Sequence, residues 1–344
     1  MESTSKLFIE QDMFSEFNAK LGNVSQIKLH IKYGKAEVHT NLSQEEINKI
    51  MDDTSEPSDA ESKRRAFIRD FCALVQQENV IKPAKEFYIK AAEDPSYYHK
   101  EQPNSIFFTT KSKLERERFM NGYGIWMIGR EELDCEYFIP YKNDFHPGNI
   151  IGEESDGWSA IRKGVRIFPS SSMVVIDNYI TSIDEDTQEY YGLANLSSLI
   201  NNFVSKELLI SNYSILIVTQ GYASENLKSR LISWIGSIKV NYPKIKIQFL
   251  FSRNTLEHDR WIFFNYGHFD SGKGFKIFEP NSNIVYNEKR KYKDYHFNAY
   301  RYIDEYSNGK TLLERAETIL GYIKELYERK GTYILGDQID SNIL

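Results

Sequence analysis

The chain has 344 residues, 41% of them hydrophobic, which is enough for one large domain or two ordinary domains with a substantial core. The 43 basic and 49 acidic side chains give a formal net charge of -6. This balance excludes a generally basic coat for nucleic acid, although it allows a local basic patch.

The sequence also excludes several other classes of protein. Its two cysteines have neither the spacing of metal ligands nor the number that a disulfide framework needs. No stretch reaches the roughly 18 uncharged apolar residues of a transmembrane segment. The first residues lack the apolar core of a signal peptide. We therefore expect a cytoplasmic protein.

The first half, residues 1–150, has the pattern of an α+β domain whose role the sequence does not indicate. Alternating side chains on either side of Gly34 predict a β-hairpin. Ser43 and Glu46 have the spacing of a helix-capping box, and Pro83 suits the first turn of a helix. We also expect a helix over 63–79 and strands at 105–109, 124–129 and 135–140.

The second half has a different pattern. Residues 142–164 are rich in Gly, Asn and Asp, which predicts a domain boundary, and residues 165–344 form the second predicted domain. Apolar runs alternate with amphipathic stretches there, which predicts an α/β domain with a mixed sheet flanked by helices. The expected strands are 173–177, 214–218, 246–251, 258–265 and 275–278, and the expected helices are 192–205, 224–241 and 311–329.

One segment of the second domain concentrates reactive side chains. It contains His258, Arg260 and Asn265 at offsets 0, +2 and +7. Side chains two residues apart on a strand share a face, so His258 and Arg260 are expected to face one anionic group. An imidazole can attack phosphorus while a guanidinium neutralises the phosphoryl oxygens. The alternative is a chance tripeptide whose charged residues form surface ion pairs.

The string His258-x-Arg260-x4-Asn265, followed by Gly272, resembles the H-x-K-x4-D motif and glycine-led turn of the phospholipase D superfamily. Asparagine at the third position is found in the superfamily's tyrosyl-DNA phosphodiesterases, whereas arginine departs from the usual lysine. The segment also resembles the phospholipase D-like domain that follows a microtubule-interacting-and-trafficking domain in some proteins. The resemblance covers about residues 165–290 and leaves the first half unexplained.

This resemblance implies a phospholipase D-like fold and a phosphodiesterase or nuclease that needs no metal or other cofactor. It makes His258 the nucleophile, Arg260 the group that holds the phosphate, and Asn265 the group that orients it. Gly272 and Lys273 would then close the pocket.

The same resemblance implies a partner. The family uses a second histidine from a second motif, which this chain lacks, so catalysis would require a homodimer. Prokaryotic chains of this kind resemble antiviral defence effectors that act on nucleic acid. The rival expectation is a non-catalytic module that binds a membrane surface or a partner protein.

A basic and aromatic segment follows the motif. Residues 289–302 interleave cations, including Lys291 and Lys293, with tyrosines. Cations hold a phosphate backbone and aromatic rings stack on bases, so this composition suits single-stranded nucleic acid. It also suits an anionic lipid surface, or a solvated helix with a buried stripe of tyrosines.

Two further polar residues are candidates for the same site. His268 lies between Asn265 and Gly272, where it would serve as an acid or base or would stabilise the turn. Asp177 ends a predicted strand, at the edge where α/β sheets build their sites, but an aspartate there also caps turns.

Overall fold

The structure is a computed structural model of the chain. The residues that it describes are 6–18, 37–52, 62, 65–66, 69, 81–101, 105–134, 143–145, 157–164, 169–183, 190–210, 213–253, 260–271, 274–275, 297–301 and 312–339. The chain divides into two compact units: Met1–Pro140 with Ile303–Leu313, and Tyr141–Tyr302 with Glu314–Leu344.

The first unit contains a parallel sheet. Its strands are β1 Lys6–Ile9, β2 Glu37–Thr40, β3 Ile81–Pro83, β4 Ile106–Phe108 and β5 Trp126–Ile128. They lie in the order β3-β2-β1-β4-β5, and each neighbouring pair is parallel. The helices of this unit include α1 Gln11–Asn18, α2 Gln44–Asp52, α3 Lys85–Glu93, α4 Ser96–Glu101 and α5 Lys113–Tyr123.

Aromatic rings form the core on one face of this sheet. Phe8 lies opposite His39 and Phe107 in the two neighbouring strands. Its ring centroid is 4.7 Å from that of His39 and 4.8 Å from that of Phe107. Phe87 and Tyr98 from the helices cover this ladder. Such pairs across strands are a main source of sheet stability.

The parallel sheet differs from the α+β domain predicted for residues 1–150. Strands of three or four residues carry little sequence pattern, and the connecting helices decide whether neighbouring strands are parallel. The segment around Gly34 that was expected to form a hairpin lies outside the described residues, and β2 pairs in parallel with β1. The capping box is confirmed, because Ser43 and Glu46 exchange hydrogen bonds of 2.7 and 3.2 Å.

The second unit contains a mixed sheet. Its strands are β6 Asn143–Phe145, β7 Ser172–Ile176, β8 Tyr213–Gln220, β9 Ile245–Ser252, β10 Arg260–Phe264, β11 Gly267–Ser271, β12 Phe297–Arg301 and β13 Tyr333–Gly336. Their order is β13-β9-β8-β7-β10-β11-β12-β6, with β7, β8 and β9 parallel and the remaining pairs antiparallel. Its helices include α6 Gly157–Gly164, α7 Tyr191–Phe203, α8 Glu225–Asn241 and α9 Leu312–Glu328.

Helices cover both faces of the mixed sheet. Trp234 of α8 packs against Phe249 of β9, with ring centroids 5.7 Å apart. Tyr327 of α9 donates a hydrogen bond to the neighbouring Gln248. Because adjacent residues of a strand point to opposite faces, α8 and α9 lie on opposite sides. The α/β class predicted from the sequence is confirmed.

The elements of the second unit follow the expected order closely. The apolar runs form β7, β8 and β9, and the three amphipathic stretches form α7, α8 and α9. Strand β11, Gly267–Ser271, was not among the expected strands. Most of the strand predicted at 275–278 lies outside the described residues. In the part of the chain that the structure describes, no helix is long and apolar enough to cross a membrane.

Candidate functional site

Asp177 directly follows β7 and is 1% exposed. Its Oδ1 accepts a hydrogen bond from the Tyr179 amide at 2.9 Å, and its Oδ2 accepts one from the Phe275 amide at 2.7 Å. The carboxylate therefore shapes the turn after β7 and also anchors a segment that is distant in the sequence. Both of its oxygens need such partners, because burying an unpaired carboxylate is costly.

Arg260 opens β10, which runs antiparallel to β7 with Trp261 opposite Ile176. This register brings the start of β10 to the end of β7. The Nε of Arg260 lies 3.8 Å from Oδ1 of Asp177, and the two side chains are 13% and 2% exposed. The centre of the guanidinium lies 5.3 Å from the centroid of the Tyr179 ring. Asp177 and Tyr179 together orient the guanidinium at the carboxyl end of β7.

Gly274 completes this group of residues. Its backbone φ is 95°, a conformation that L side chains rarely adopt. A Cβ at this position would lie 2.8 Å from Oδ2 of Asp177 and 3.3 Å from Cδ of Arg260. Glycine is therefore required for the segment to approach the ion pair. We call the group formed by Asp177, Tyr179, Arg260 and Gly274 the edge site.

Backbone hydrogen bonds make the strand ends beside the edge site a continuous platform. The Asp177 amide donates to the carbonyl of Val218 at 3.0 Å, and the Gly221 amide donates to that of Ser252 at 2.8 Å. The hydroxyls of Thr181 and Thr219, both buried, are 3.3 Å apart. The carboxyl ends of parallel strands are where α/β sheets bind ligands.

Asn265 lies at the other end of β7. Its Oδ1 accepts hydrogen bonds from the Ser171 amide at 2.7 Å and the Ser172 amide at 3.1 Å. Asn265 is five positions from Arg260 along the extended chain, a distance of about 16 Å. The structure therefore does not bring Asn265 to the group that Arg260 would hold, and gives it a contact that fixes the start of β7.

His268 lies on the opposite face of the sheet from Arg260. It is 3% exposed and pairs with Phe263, the ring centroids being 5.3 Å apart. Trp261 packs on the same imidazole at 5.4 Å. Arg260 directly precedes Trp261 in β10, and adjacent residues of a strand point to opposite faces of the sheet. The side chain of Arg260 therefore points to the other face. The structure does not bring His268 into the edge site.

The remaining predicted site residues are His258, Gly272, Lys273, Lys291 and Lys293. All five lie outside the described residues, so their roles stay predictions. Across the described ranges, no cluster of three or more His, Cys, Asp or Glu side chains could hold a metal ion.

The role of Gly274 was missed in the sequence. Its signal was the repeated glycine in Gly272-Lys273-Gly274, a pattern that marks a turn but does not name the residue it approaches. Asp177 accepts a hydrogen bond from the backbone amide of Phe275, and the type of residue at that position does not indicate such a contact.

Comparisons with known proteins show no family for this chain. No family model matches it, and no curated protein matches it. One match among solved structures is TrmBL2, an archaeal chromatin protein that shows a novel mode of DNA binding. The two chains are 10% identical over 92% of this chain and 96% of that chain, with a TM-score of 0.22. That score is too low to bear on either fold or function.

Proposed function

We propose that the second unit recognises a phosphodiester group of nucleic acid at the edge site, as a phospholipase D-like protein. The observation that carries this proposal is the partly buried guanidinium of Arg260, held between the carboxylate of Asp177 and the ring of Tyr179.

The chemistry of arginine suits a phosphate. A guanidinium carries five N–H donors in a planar fork, so it can bind a phosphate bidentately while Asp177 faces its Nε. The side chain of Arg260 is 13% exposed, and partial burial strengthens its attraction for an anion relative to that of a solvated lysine.

The aromatic neighbour favours nucleic acid among the phosphodiesters. Tyr179 is 54% exposed, although its ring lies against the guanidinium. An exposed ring beside a phosphate-binding cation offers a stacking surface for a base. A lipid phosphodiester has no planar group for this surface.

The finer part of the proposal concerns cleavage. His258 precedes Arg260 by two residues and, by the resemblance, attacks phosphorus. A bond forms between the imidazole and phosphorus as the phosphorus–oxygen bond breaks, and His258 of a second protomer protonates the departing oxygen. Water then hydrolyses the phosphohistidine. Without this step, the edge site is a binding module.

The test uses labelled single-stranded DNA and RNA in EDTA, with gel analysis of cleavage and fluorescence anisotropy for binding, and phosphatidylserine vesicles with co-sedimentation for binding. We expect the wild type to bind and cleave, and His258→Ala to bind without cleaving. Lys206→Gln, an exposed position between α7 and β8, is the control that should retain both activities. If the wild type binds without cleaving, the proposed hydrolase activity is wrong. Binding only to phosphatidylserine vesicles would overturn the nucleic-acid proposal.

A further inference from the structure

Three exposed tyrosines lie at the same end of the mixed sheet's strands as the edge site. Tyr179 follows β7 and is 54% exposed, and Tyr222 follows β8 and is 74% exposed. Tyr333 begins β13 and is 37% exposed; it lies opposite Phe251, near the end of β9. Since β7, β8 and β9 are parallel, all three rings lie along one edge.

Two arginines occupy the remaining strand ends of this edge. Arg260 opens β10, and the exposed Arg253 follows β9. The Cδ of Arg253 lies 3.7 Å from where a Cβ on Gly331 would be, beside the start of β13. In the order β13-β9-β8-β7-β10, the strand ends therefore carry Tyr333, Arg253, Tyr222, Tyr179 and Arg260. At about 4.8 Å per strand, this row extends over about 19 Å.

The exposed Arg253 and a helix terminus add positive charge to the row beside the Arg260–Asp177 pair. The N-cap of α8, Ser224, lies two residues after Tyr222, and the helix dipole is positive there. The exposed Glu225 is paired with Lys228 at 2.5 Å, so its charge is balanced locally. The Lys228 ammonium also lies 4.9 Å from the centroid of the Tyr333 ring.

We infer that this row, Tyr333, Arg253, Tyr222, Tyr179 and Arg260, is a track for single-stranded nucleic acid. The inference rests on the proposed function and names its substrate class. Arginines hold the phosphates, and the tyrosine rings stack on bases. A duplex keeps its base faces stacked inside the helix, whereas a single strand presents them to aromatic side chains.

The experiment compares three fluorescent ligands by anisotropy: a single strand of about 12 nucleotides, within the site sizes known for such tracks, a duplex of equal length, and an abasic strand of equal length. We expect the single strand to bind most tightly. Tyr222→Leu should weaken its binding by about 5-fold to 150-fold, the loss of one stacked base, and leave abasic binding unchanged. Tyr222→Phe keeps the ring and should bind as the wild type does.

The outcomes separate this inference from the proposed function. Equal affinity for all three ligands, with no effect of Tyr222→Leu, would overturn the track; the phosphodiester site would stand if Arg260→Gln still weakened binding. Failure of the wild type to bind any of the three ligands would overturn both. Equal binding by Arg260→Gln and the wild type would also overturn both the track and the phosphodiester site.

Discussion

Asp177 directly follows one strand and Arg260 begins its antiparallel neighbour, with Oδ1 and Nε 3.8 Å apart at the carboxyl end of β7. The two backbone amides that bind Asp177 leave its carboxylate with little freedom, and the carboxylate in turn orients the arginine. A cation fixed before its ligand arrives loses less conformational entropy on binding. This relationship is the basis of the proposed site.

The Asp177→Asn variant should be less stable than the wild type. The amide keeps one acceptor oxygen but presents N–H donors to one of the two backbone amides that the carboxylate binds. Leaving one buried donor unpaired costs about 1–3 kcal/mol. Urea unfolding followed by hydrogen exchange of peptides from β7 measures the loss. Glu225→Gln, at a side chain that is 89% exposed, is the control, and an equal loss there would contradict the prediction.

The Gly274→Ala variant should lose both stability and ligand affinity. Its Cβ would lie 2.8 Å from Asp177, and its φ of 95° is unfavourable for alanine. Together these effects should cost about 1–3 kcal/mol. Gly236→Ala is the matched control, because a Cβ there meets nothing within 4 Å and the residue lies within α8. That change should stabilise the protein by about 0.5–1 kcal/mol. Wild-type stability in Gly274→Ala would show that the segment does not approach Asp177.

The Asn265→Ala variant should unfold more easily yet bind nucleic acid normally while folded. Two buried amides, of Ser171 and Ser172, lose their acceptor, at about 1–3 kcal/mol each. Asn265→Asp keeps the acceptor oxygen and should lose less stability. Hydrogen exchange of peptides over 169–176 reports the loss, and anisotropy reports affinity. A large fall in affinity at full stability would instead place Asn265 at the bound phosphate.

The stability of the first unit should fall as the pH decreases from about 7 to about 5. Burial lowers the pKa of His39 below its usual 6.5, and burial does the same for His99. Below pH 6.5 the unfolded chain therefore binds more protons than the folded unit, so the free energy of unfolding decreases as the pH falls. Unfolding followed at several pH values checks this. His39→Gln should make the free energy of unfolding depend less on pH between 7 and 5. An unchanged dependence on pH would contradict a lowered pKa of His39.

The sequence predicts those elements whose pattern is local. β7, β8 and β9 are apolar runs buried on both faces, and the strand-end position of Asp177 follows from the first of them. Arg260 was identified by its offset from His258. The strands of the first unit have only three or four residues, and their parallel pairing depends on helices far along the chain.

Long-range contacts explain what the sequence could not show. Gly274 matters because its segment returns to Asp177, and no local pattern encodes that approach. Asn265 has the residue type that a phosphate site would use, but its amide oxygen binds the start of β7 instead. Tyr222 and Tyr333 join one row only because β8, β9 and β13 are neighbours in the sheet.

The most direct test of the phosphodiester site is the salt dependence of binding. Affinity for a fluorescent single strand is measured at several salt concentrations for the wild type, Arg260→Gln and Lys206→Gln. Loss of a charge-assisted contact of about 1.5–3 kcal/mol should weaken Arg260→Gln by at least about tenfold and reduce the salt slope by about 0.7. Lys206→Gln should match the wild type in both. Wild-type affinity and slope in Arg260→Gln would contradict the account.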